Sequence, residues 1–113
     1  MTDPMPPDAF RIDQRDRDDG AIVVSVFGDL DLATCPRLHE VLNRLAAQKR
    51  AAVLELAGVE FMDSTGLNLL FQATREARRD GWTFALAPEL PDDVARLFEL
   101  TGMTGHLPFD DAP

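Results

Sequence analysis

The sequence VEFMDSTGLNLLF, residues 59–71, places a cluster of small polar residues between an apolar run and a helical spacing of apolar residues. The apolar run ends at Met62, and the helical spacing begins at Leu67. This order predicts a strand that leads through a short loop directly into a helix. Ser64 and Thr65 are then expected where the first N–H groups of the helix lack a partner. A hydroxyl there can cap the helix, and a phosphate there would face N–H donors and the positive end of the helix dipole.

Length and composition indicate one globular domain with a single apolar core. The chain has 113 residues, and 45% of them are hydrophobic. Such a chain can bury a core without disulfides or metals. The 20 acidic residues outnumber the 11 basic ones, which gives a formal net charge of -9. This charge disfavours nucleic acid and membrane surfaces as partners and favours a partner with a basic face.

Cysteine content and hydropathy restrict the expected chemistry and location. Cys35 is the only cysteine in the sequence, so neither an intramolecular disulfide nor a cysteine metal cluster is expected. Residues 1–7 lack the basic and apolar regions of a secretory signal. No apolar run approaches the length of about 20 residues that spans a bilayer. We therefore expect a cytoplasmic protein.

The pattern along the chain predicts an α/β fold with a small mixed sheet backed by helices. Residues 1–8 are expected to form a flexible tail, residues 9–110 a single domain, and residues 111–113 a C-terminal tail. An antiparallel N-terminal hairpin is followed by strands and helices in alternation, which implies parallel pairing. The expected strands are 10–15, 21–27, 52–56, 82–87 and 106–109. The expected helices run from a Thr34 cap to about Lys49, from the 63–66 turn to Gly81, and from near Pro91 to Gly102.

Ser64 allows three interpretations. The simplest is that Asp63, Ser64 and Thr65 only cap a helix. The second is reversible phosphorylation, which would add about -1.5 to -2 charges at a helix start that tolerates an anion. The flanking acids Asp29, Asp31 and Asp63 would then make the local field strongly negative, so that binding changes while the fold does not.

The third interpretation, a catalytic serine, has little support, and we expect no enzymatic activity. The surrounding residues lack the G-x-S-x-G form, and His39 and His106 lie far away in sequence. Asp29 and Asp31 have no third ligand nearby in sequence that would suggest a metal. No nucleotide-binding loop of known form is present, so no cofactor is expected.

Several segments together resemble the STAS domain, of the stand-alone bacterial anti-sigma factor antagonist kind. The resemblance extends over residues 10–109. The matching segments are Gly28-Asp29-Leu30-Asp31 with Thr34, then Val53-Leu54-Glu55-Leu56, the turn from Phe61 to Leu67, and the segment from Val94 to Gly102.

The resemblance implies a regulatory switch at Ser64. The unphosphorylated family member binds an anti-sigma factor and releases a sigma factor for transcription. That anti-sigma factor carries ATP-dependent serine kinase activity and phosphorylates the serine corresponding to Ser64, and a PP2C-type phosphatase restores it. ATP would thus belong to the kinase. The implied partner contacts are Asp31, Thr34, Asp63, Ser64, Thr65, Gly66 and Asn68.

Two features depart from the family pattern, and one alternative function remains open. The tail with Pro4, Pro6 and Pro7 lies outside the pattern, and Arg37 stands where an acidic residue would complete a capping box with Thr34. The alternative is a STAS subunit without a switch, in a lipid ABC transporter or a stressosome-like assembly, because one fold can serve several functions. A phosphorylatable serine at position 64 favours the antagonist.

Overall fold

A hairpin strand and three strand–helix steps make up residues 10–110, the part of the chain that the computed structural model describes. The two predicted tails, residues 1–8 and 111–113, lie outside the described residues. The elements in chain order are β1 (Arg11–Asp16), β2 (Ile22–Leu30), α1 (Cys35–Ala47), β3 (Ala52–Met62), α2 (Ser64–Asp80), β4 (Phe84–Leu86), α3 (Asp92–Thr101) and a 3-10 helix (Thr104–His106).

The four strands lie in the sheet in the order in which they occur in the chain. β1 pairs antiparallel with β2, whereas β2 with β3 and β3 with β4 pair in parallel. This confirms the predicted mixed sheet. The helices α1 and α2 connect neighbouring parallel strands, and such crossovers are almost always right-handed. Because both connections step across the sheet in the same direction, both helices lie on the same face.

One apolar core fills the space between this face of the sheet and the three helices. Alternate residues of β2 point into the core, among them Val24 and Val26, as expected from the twofold repeat of a strand. Burial of each large apolar side chain contributes about 1.5–3 kcal/mol to folding. The largest fully buried side chains are Phe98, Leu30, Leu38, Leu54, Leu56, Leu70, Leu86, Val24 and Val26.

The helices bury the sides that their apolar spacing predicts, except at their C-terminal ends. Leu38, Leu42 and Leu45 of α1 are buried, in agreement with the prediction. The apolar spacing of α2 (Leu67, Leu70, Thr74) continues to Arg78, and that of α3 (Val94, Leu97, Phe98) continues to Thr101, which predicts both as buried. Both are exposed. Each lies in the last turn of its helix, where the side chain reaches solvent.

The two central strands extend further than the sequence predicts. β2 continues to Leu30 and β3 to Met62, beyond the predicted ends at residues 27 and 56. Their pairing register shifts between Ser25 and Phe27 and again after Gly28, which has a φ of 97°. These irregularities absorb extra residues and let the pairing continue through a polar, glycine-containing segment. Asp29, which lies beyond the predicted end of this strand, is therefore part of β2.

The predicted strand at residues 106–109 is wrong. Residues 104–106 form a 3-10 helix, and only Phe109 makes a single parallel bridge, to Leu86. The Leu86 N–H donates to the Pro108 carbonyl at 2.8 Å, and the Asp110 N–H donates to the Leu86 carbonyl at 2.7 Å. Pro108 has no N–H to donate, so the ladder does not extend into a strand.

The last strand is shorter than predicted, and Trp82 precedes it. β4 covers only Phe84–Leu86. Trp82 is nevertheless buried, its indole N–H donates to the Arg50 carbonyl at 2.6 Å, and its ring stacks on Phe84 with centroids 5.6 Å apart. The side chain thus fills the end of the core where β4 begins.

Arg17, in the turn between β1 and β2, binds two carboxylates. Its guanidinium donates to Asp19 at 2.6 Å and to Asp110 at 2.7 Å, which connects the hairpin with the C-terminal part of the described chain. The hydrogen bond from Arg17, together with one from the Ala21 N–H, lowers the pKa of Asp19 to about 2. The charged form of Asp19 is therefore favoured in the folded protein.

We expect Asp19→Asn to lower stability at neutral pH and to lose this effect in acid. Asn keeps an oxygen for the Ala21 N–H but removes the charge that Arg17 binds. Since the folded pKa lies below the ordinary value of 3.8, the contribution is complete above pH 3.8 and disappears as the pH falls toward 2. Urea unfolding midpoints of both proteins, measured between pH 2 and 7 at low salt, test this. A difference that does not change with pH would contradict it.

Candidate functional site

The predicted site residues come from two neighbouring strand ends. β2 and β3 are parallel, and Leu30 near the end of one pairs with Met62 at the end of the other. The Asp63 N–H donates a long hydrogen bond to the Leu30 carbonyl, with 3.4 Å between N and O. The loop that begins at Asp31 and the turn that contains Ser64 therefore leave the same edge of the sheet. Ligands of α/β proteins commonly bind at the carboxyl ends of parallel strands.

Asp63 caps the second helix, and Ser64 is the first helical residue. The Asp63 backbone is extended, and its Oδ1 accepts hydrogen bonds from the N–H groups of Thr65 at 2.9 Å and Gly66 at 3.1 Å. The sequence alone does not distinguish Asp63, Ser64 and Thr65 as the cap, and the structure assigns this role to Asp63. Within residues 10–110, the Ser64 hydroxyl makes no hydrogen bond, and the side chain is exposed. The hydroxyl is thus accessible and is not used to build the helix.

Gly66 allows the first turn of α2 to approach the end of β2. A Cβ atom at this position would lie 2.8 Å from the Leu30 carbonyl oxygen and 2.9 Å from Cγ of Met62. Neither distance is possible for a real Cβ atom, so any larger residue requires the helix or the strand to move. Gly66 is therefore a packing requirement of this turn.

A hydrogen-bonded turn, residues 31–34, leads from β2 into α1. Oδ1 of Asp31 accepts from the N–H groups of Ala33 at 3.0 Å and Thr34 at 3.2 Å. The Thr34 hydroxyl accepts from the Asp31 N–H at 3.0 Å and donates to the Asp29 carbonyl at 2.7 Å. Thr34 does occupy the N-cap position of α1, but its hydroxyl caps no helical N–H. The predicted cap therefore stabilises the loop instead, which the β2 backbone allows by presenting a carbonyl to the hydroxyl.

Two apolar grooves lie beside Ser64. The first, of about 300 Å³, lies between α1 and α2, and its lining includes Leu32, Thr65 and Asn68. The second, of about 250 Å³, lies between the end of β3 and α3, and its lining includes Phe61 and Leu100. Asn68, a predicted contact, is exposed at the first groove.

Leu32, Phe61 and Leu100 belong to this region although sequence reasoning did not assign them to it. Their side chains are 75%, 51% and 78% exposed. For Leu32 the sequence signal is its position directly after Asp31, a residue that favours turns, in the short connection before Thr34, where a polar residue is expected. Phe61 lies within an apolar strand pattern that ordinarily indicates the core, so only the structure reveals its exposure. Leu100 lies outside the buried helical spacing of Val94, Leu97 and Phe98, so the sequence already indicates that it is exposed.

Two carboxylates, Asp31 and Asp63, lie near the start of α1. Burial raises the pKa of the Cys35 thiol to about 11, with further contributions from the charges of Asp63 and Asp31. These two carboxylates, from different loops, thus act on the same buried group at the start of α1. Because the thiol stays protonated at neutral pH, Cys35 is a small apolar residue here and no nucleophile.

The described residues contain no assembled catalytic or metal centre. No group of three His, Cys, Asp or Glu side chains in residues 10–110 could hold a metal ion. His106 lies edge-on to Phe71, with ring centroids 6.5 Å apart, and His39 lines the first groove. Neither forms a hydrogen bond with Ser64 in the described chain. What the site offers is an accessible hydroxyl at a helix start, surrounded by carboxylates and apolar side chains.

Comparison with known proteins assigns the family. A family model described as "Mlab, STAS domain" matches residues 14–108. The chain belongs to the STAS domain family. The small mixed sheet backed by helices is the STAS architecture that the sequence predicts, with four strands in place of the five predicted. Among residues 10–110 of this STAS domain, no helix has the length and apolar character needed to cross a bilayer.

The STAS domain is similar to proteins named as anti-sigma factor antagonists. The anti-sigma-B factor antagonist of Staphylococcus aureus is 38% identical over 81 residues, which cover 71% of this chain and 74% of that protein. The antagonist of Listeria monocytogenes is 31% identical over 97 residues and 82% of each chain. The crystal structure of an anti-sigma factor antagonist from Mycobacterium paratuberculosis superposes with a TM-score of 0.79 at 29% identity, and covers 95% of this chain and 90% of that one.

We expect Asp63→Ala to destabilise the STAS domain by about 0.5–2 kcal/mol, because the two N–H groups at the start of α2 lose their acceptor. Asp63→Asn keeps a capping oxygen and should cost only the interaction of the charge with the helix dipole, a few tenths of a kcal/mol. Urea unfolding of both variants at pH 7 separates cap from charge. Equal losses in the two variants would contradict the assignment of Asp63 as the cap.

We expect Gly66→Ala to lower the free energy of unfolding by about 1–3 kcal/mol, the usual cost of an added methyl group in a tightly packed position. Gly105→Ala is the matched control, since a Cβ atom there would meet nothing within 4 Å. Urea unfolding again gives the measurement. Equal free energies of unfolding in the two alanine variants would contradict the packing requirement at Gly66.

Proposed function

We propose that this STAS domain is an anti-sigma factor antagonist whose binding is switched by phosphorylation of Ser64. The unphosphorylated form binds an anti-sigma factor and thereby releases a sigma factor, and the phosphorylated form does not bind. The observation that carries the proposal is the exposed Ser64 hydroxyl, the first residue of a helix that Asp63 caps. The names of the curated relatives favour this function over that of a STAS subunit without a switch.

The geometry accommodates a phosphate on Ser64 without a change of fold. Because Asp63 supplies the cap, modification of the Ser64 hydroxyl breaks no hydrogen bond of the described structure. A phosphate at this position lies at the positive end of the dipole of a 17-residue helix. These features support a switch in which the protein stays folded in both forms.

The same phosphate would prevent a partner from packing against this surface. Phosphorylation adds about -1.5 to -2 charges and three acceptor oxygens next to Asp63. A closely packed partner would have to desolvate this charge, and burial of an unpaired charge is strongly unfavourable. The added volume also occupies the space that the partner needs directly above the start of α2. We therefore assign the remaining predicted contacts, Asp31, Thr34, Thr65, Gly66 and Asn68, to the surface around Ser64 that the partner covers or that fixes its shape.

The proposal requires other proteins to add and remove the phosphate. We assign these roles to the anti-sigma factor itself, acting as an ATP-dependent serine kinase, and to a PP2C-type phosphatase. Ser64 is exposed and can enter a kinase site, whereas Thr65 is half-buried beside the first groove. The chain itself acts as a binding protein and not as an enzyme, with residues 9–110 as the functional domain. Because sigma factors act on cytoplasmic RNA polymerase, this function places the protein in the cytoplasm.

We expect Ser64→Asp to weaken binding to the anti-sigma factor at least tenfold, because a charge then lies where the partner packs. Ser64→Asn has nearly the same shape without the charge and should bind within a few-fold of wild type. Isothermal titration against each purified anti-sigma factor of the host organism gives the affinities. Intact-mass analysis after incubation with the partner and ATP should show one phosphate on wild type and none on Ser64→Ala.

Equal affinities for the Asp and Asn variants, together with no phosphate on Ser64, would contradict the switch. Binding of wild type to a transporter ATPase and to none of the anti-sigma factors would support the STAS subunit without a switch.

A further inference from the structure

The large apolar side chains that the described chain exposes are concentrated beside Ser64. Within residues 10–110 there are three of them, Leu32, Phe61 and Leu100. Leu32 lines the groove between α1 and α2, and the other two line the groove between β3 and α3. Single exposed leucines are ordinary on protein surfaces. It is unusual for all three to lie at one end of the molecule. Exposed apolar patches with polar rims are typical of protein–protein contact sites.

Ser64 lies between the two grooves. Along the chain, Met62 lines the groove on the α3 side and Thr65 lines the groove on the α1 side, with Ser64 between them. A partner that contacts both grooves therefore crosses the start of α2, where the exposed Ser64 lies. This arrangement puts the modifiable residue at the centre of the contact, where well-packed interfaces exclude water.

The loop that carries Leu32 is already ordered without a partner. Asp31 and Thr34, on either side of Leu32, form hydrogen bonds with one another and with neighbouring backbone groups, four of which measure 2.7–3.2 Å. A side chain presented by such a turn loses little backbone entropy on binding. Leu100 is likewise presented by the regular helix α3. Both leucines are thus placed before the partner arrives.

The surrounding charge defines the partner's chemistry. Carboxylates of Asp31 and Asp63 act at the start of α1, beside the first groove. The second groove is lined by one acidic and one basic side chain, Asp93 and Arg96, and the whole chain has a net charge of -9. We infer that the anti-sigma factor binds across Ser64 through two apolar contacts, one at Leu32 and one at Leu100, and that basic side chains surround these contacts on the partner. This inference rests on the proposed function and deepens it, because it assigns affinity to the two leucines and regulation to Ser64.

The test replaces each leucine by a polar and by an apolar residue of similar size. We expect Leu32→Gln and Leu100→Gln each to weaken binding of the anti-sigma factor at least tenfold, and Leu32→Met and Leu100→Met to bind within threefold of wild type. Methionine and glutamine have similar helix propensities, so the pair at position 100 leaves α3 equally stable. Urea unfolding midpoints should match wild type in all four variants, since both side chains are exposed. Isothermal titration with the anti-sigma factor that binds wild type gives the affinities.

Each result has a defined meaning. Wild-type affinity in both glutamine variants, with binding still lost in Ser64→Asp, would overturn the two-sided contact and leave the switch intact. Loss of binding in only one glutamine variant would also overturn it, because the contact would then lie on one side of Ser64. Failure of wild type to bind any anti-sigma factor would overturn the proposed function and this inference together. A decrease of affinity with increasing salt is expected in addition, because acidic and basic side chains face each other.

Discussion

The junction of β2, β3 and α2 depends on the carboxylate of Asp63. One oxygen atom satisfies two N–H groups at the start of α2, while the backbone of the same residue faces the end of β2. Gly66 allows the first turn of α2 to pack against the Leu30 carbonyl, so closely that a side chain at position 66 would clash with it. The position of the helix start, and with it the position of Ser64, follows from these two contacts.

The structural role at this helix start belongs to Asp63, and the proposed regulatory role belongs to Ser64. If the Ser64 hydroxyl capped the helix, phosphorylation would remove a hydrogen bond on which the fold depends, and the modified protein would lose stability. Because Asp63 performs that role, Ser64 can change its chemistry while the helix stays in place. In the proposed switch, the surface would present either a small hydroxyl or a phosphate on the same frame. Regulation by such a surface requires no movement of the protein.

Much of the fold follows from the periodicity of the sequence, but the details of the site do not. The apolar stripe of α1 and the alternation in β2 predict their elements because each repeat has a single solution that buries its apolar side. The choice among Asp63, Ser64 and Thr65 as the cap depends on a backbone angle, which composition does not determine. The Thr34 hydroxyl bonds to a β2 carbonyl, a partner that exists only once β2 is known to extend past Gly28.

Long-range pairing explains the remaining differences. The extension of β2 and β3 depends on register shifts between two strands that are separated by a whole helix. The exposure of Phe61 depends on how far α3 covers the end of β3, which no local pattern contains. In the 106–109 segment, pairing ends at a single bridge because Pro108 offers no donor. Local sequence therefore predicts elements, and contacts between distant elements determine where they stop.

The buried Trp82 has a practical consequence. It is the single tryptophan of the chain, it precedes β4, and it lies in the core at the opposite end of the parallel strands from Ser64. Its fluorescence should respond to loss of the core and be insensitive to a partner that covers the other end. Emission from this one indole therefore provides an optical signal for unfolding that can be followed in the presence of a tryptophan-free partner, without interference from complex formation.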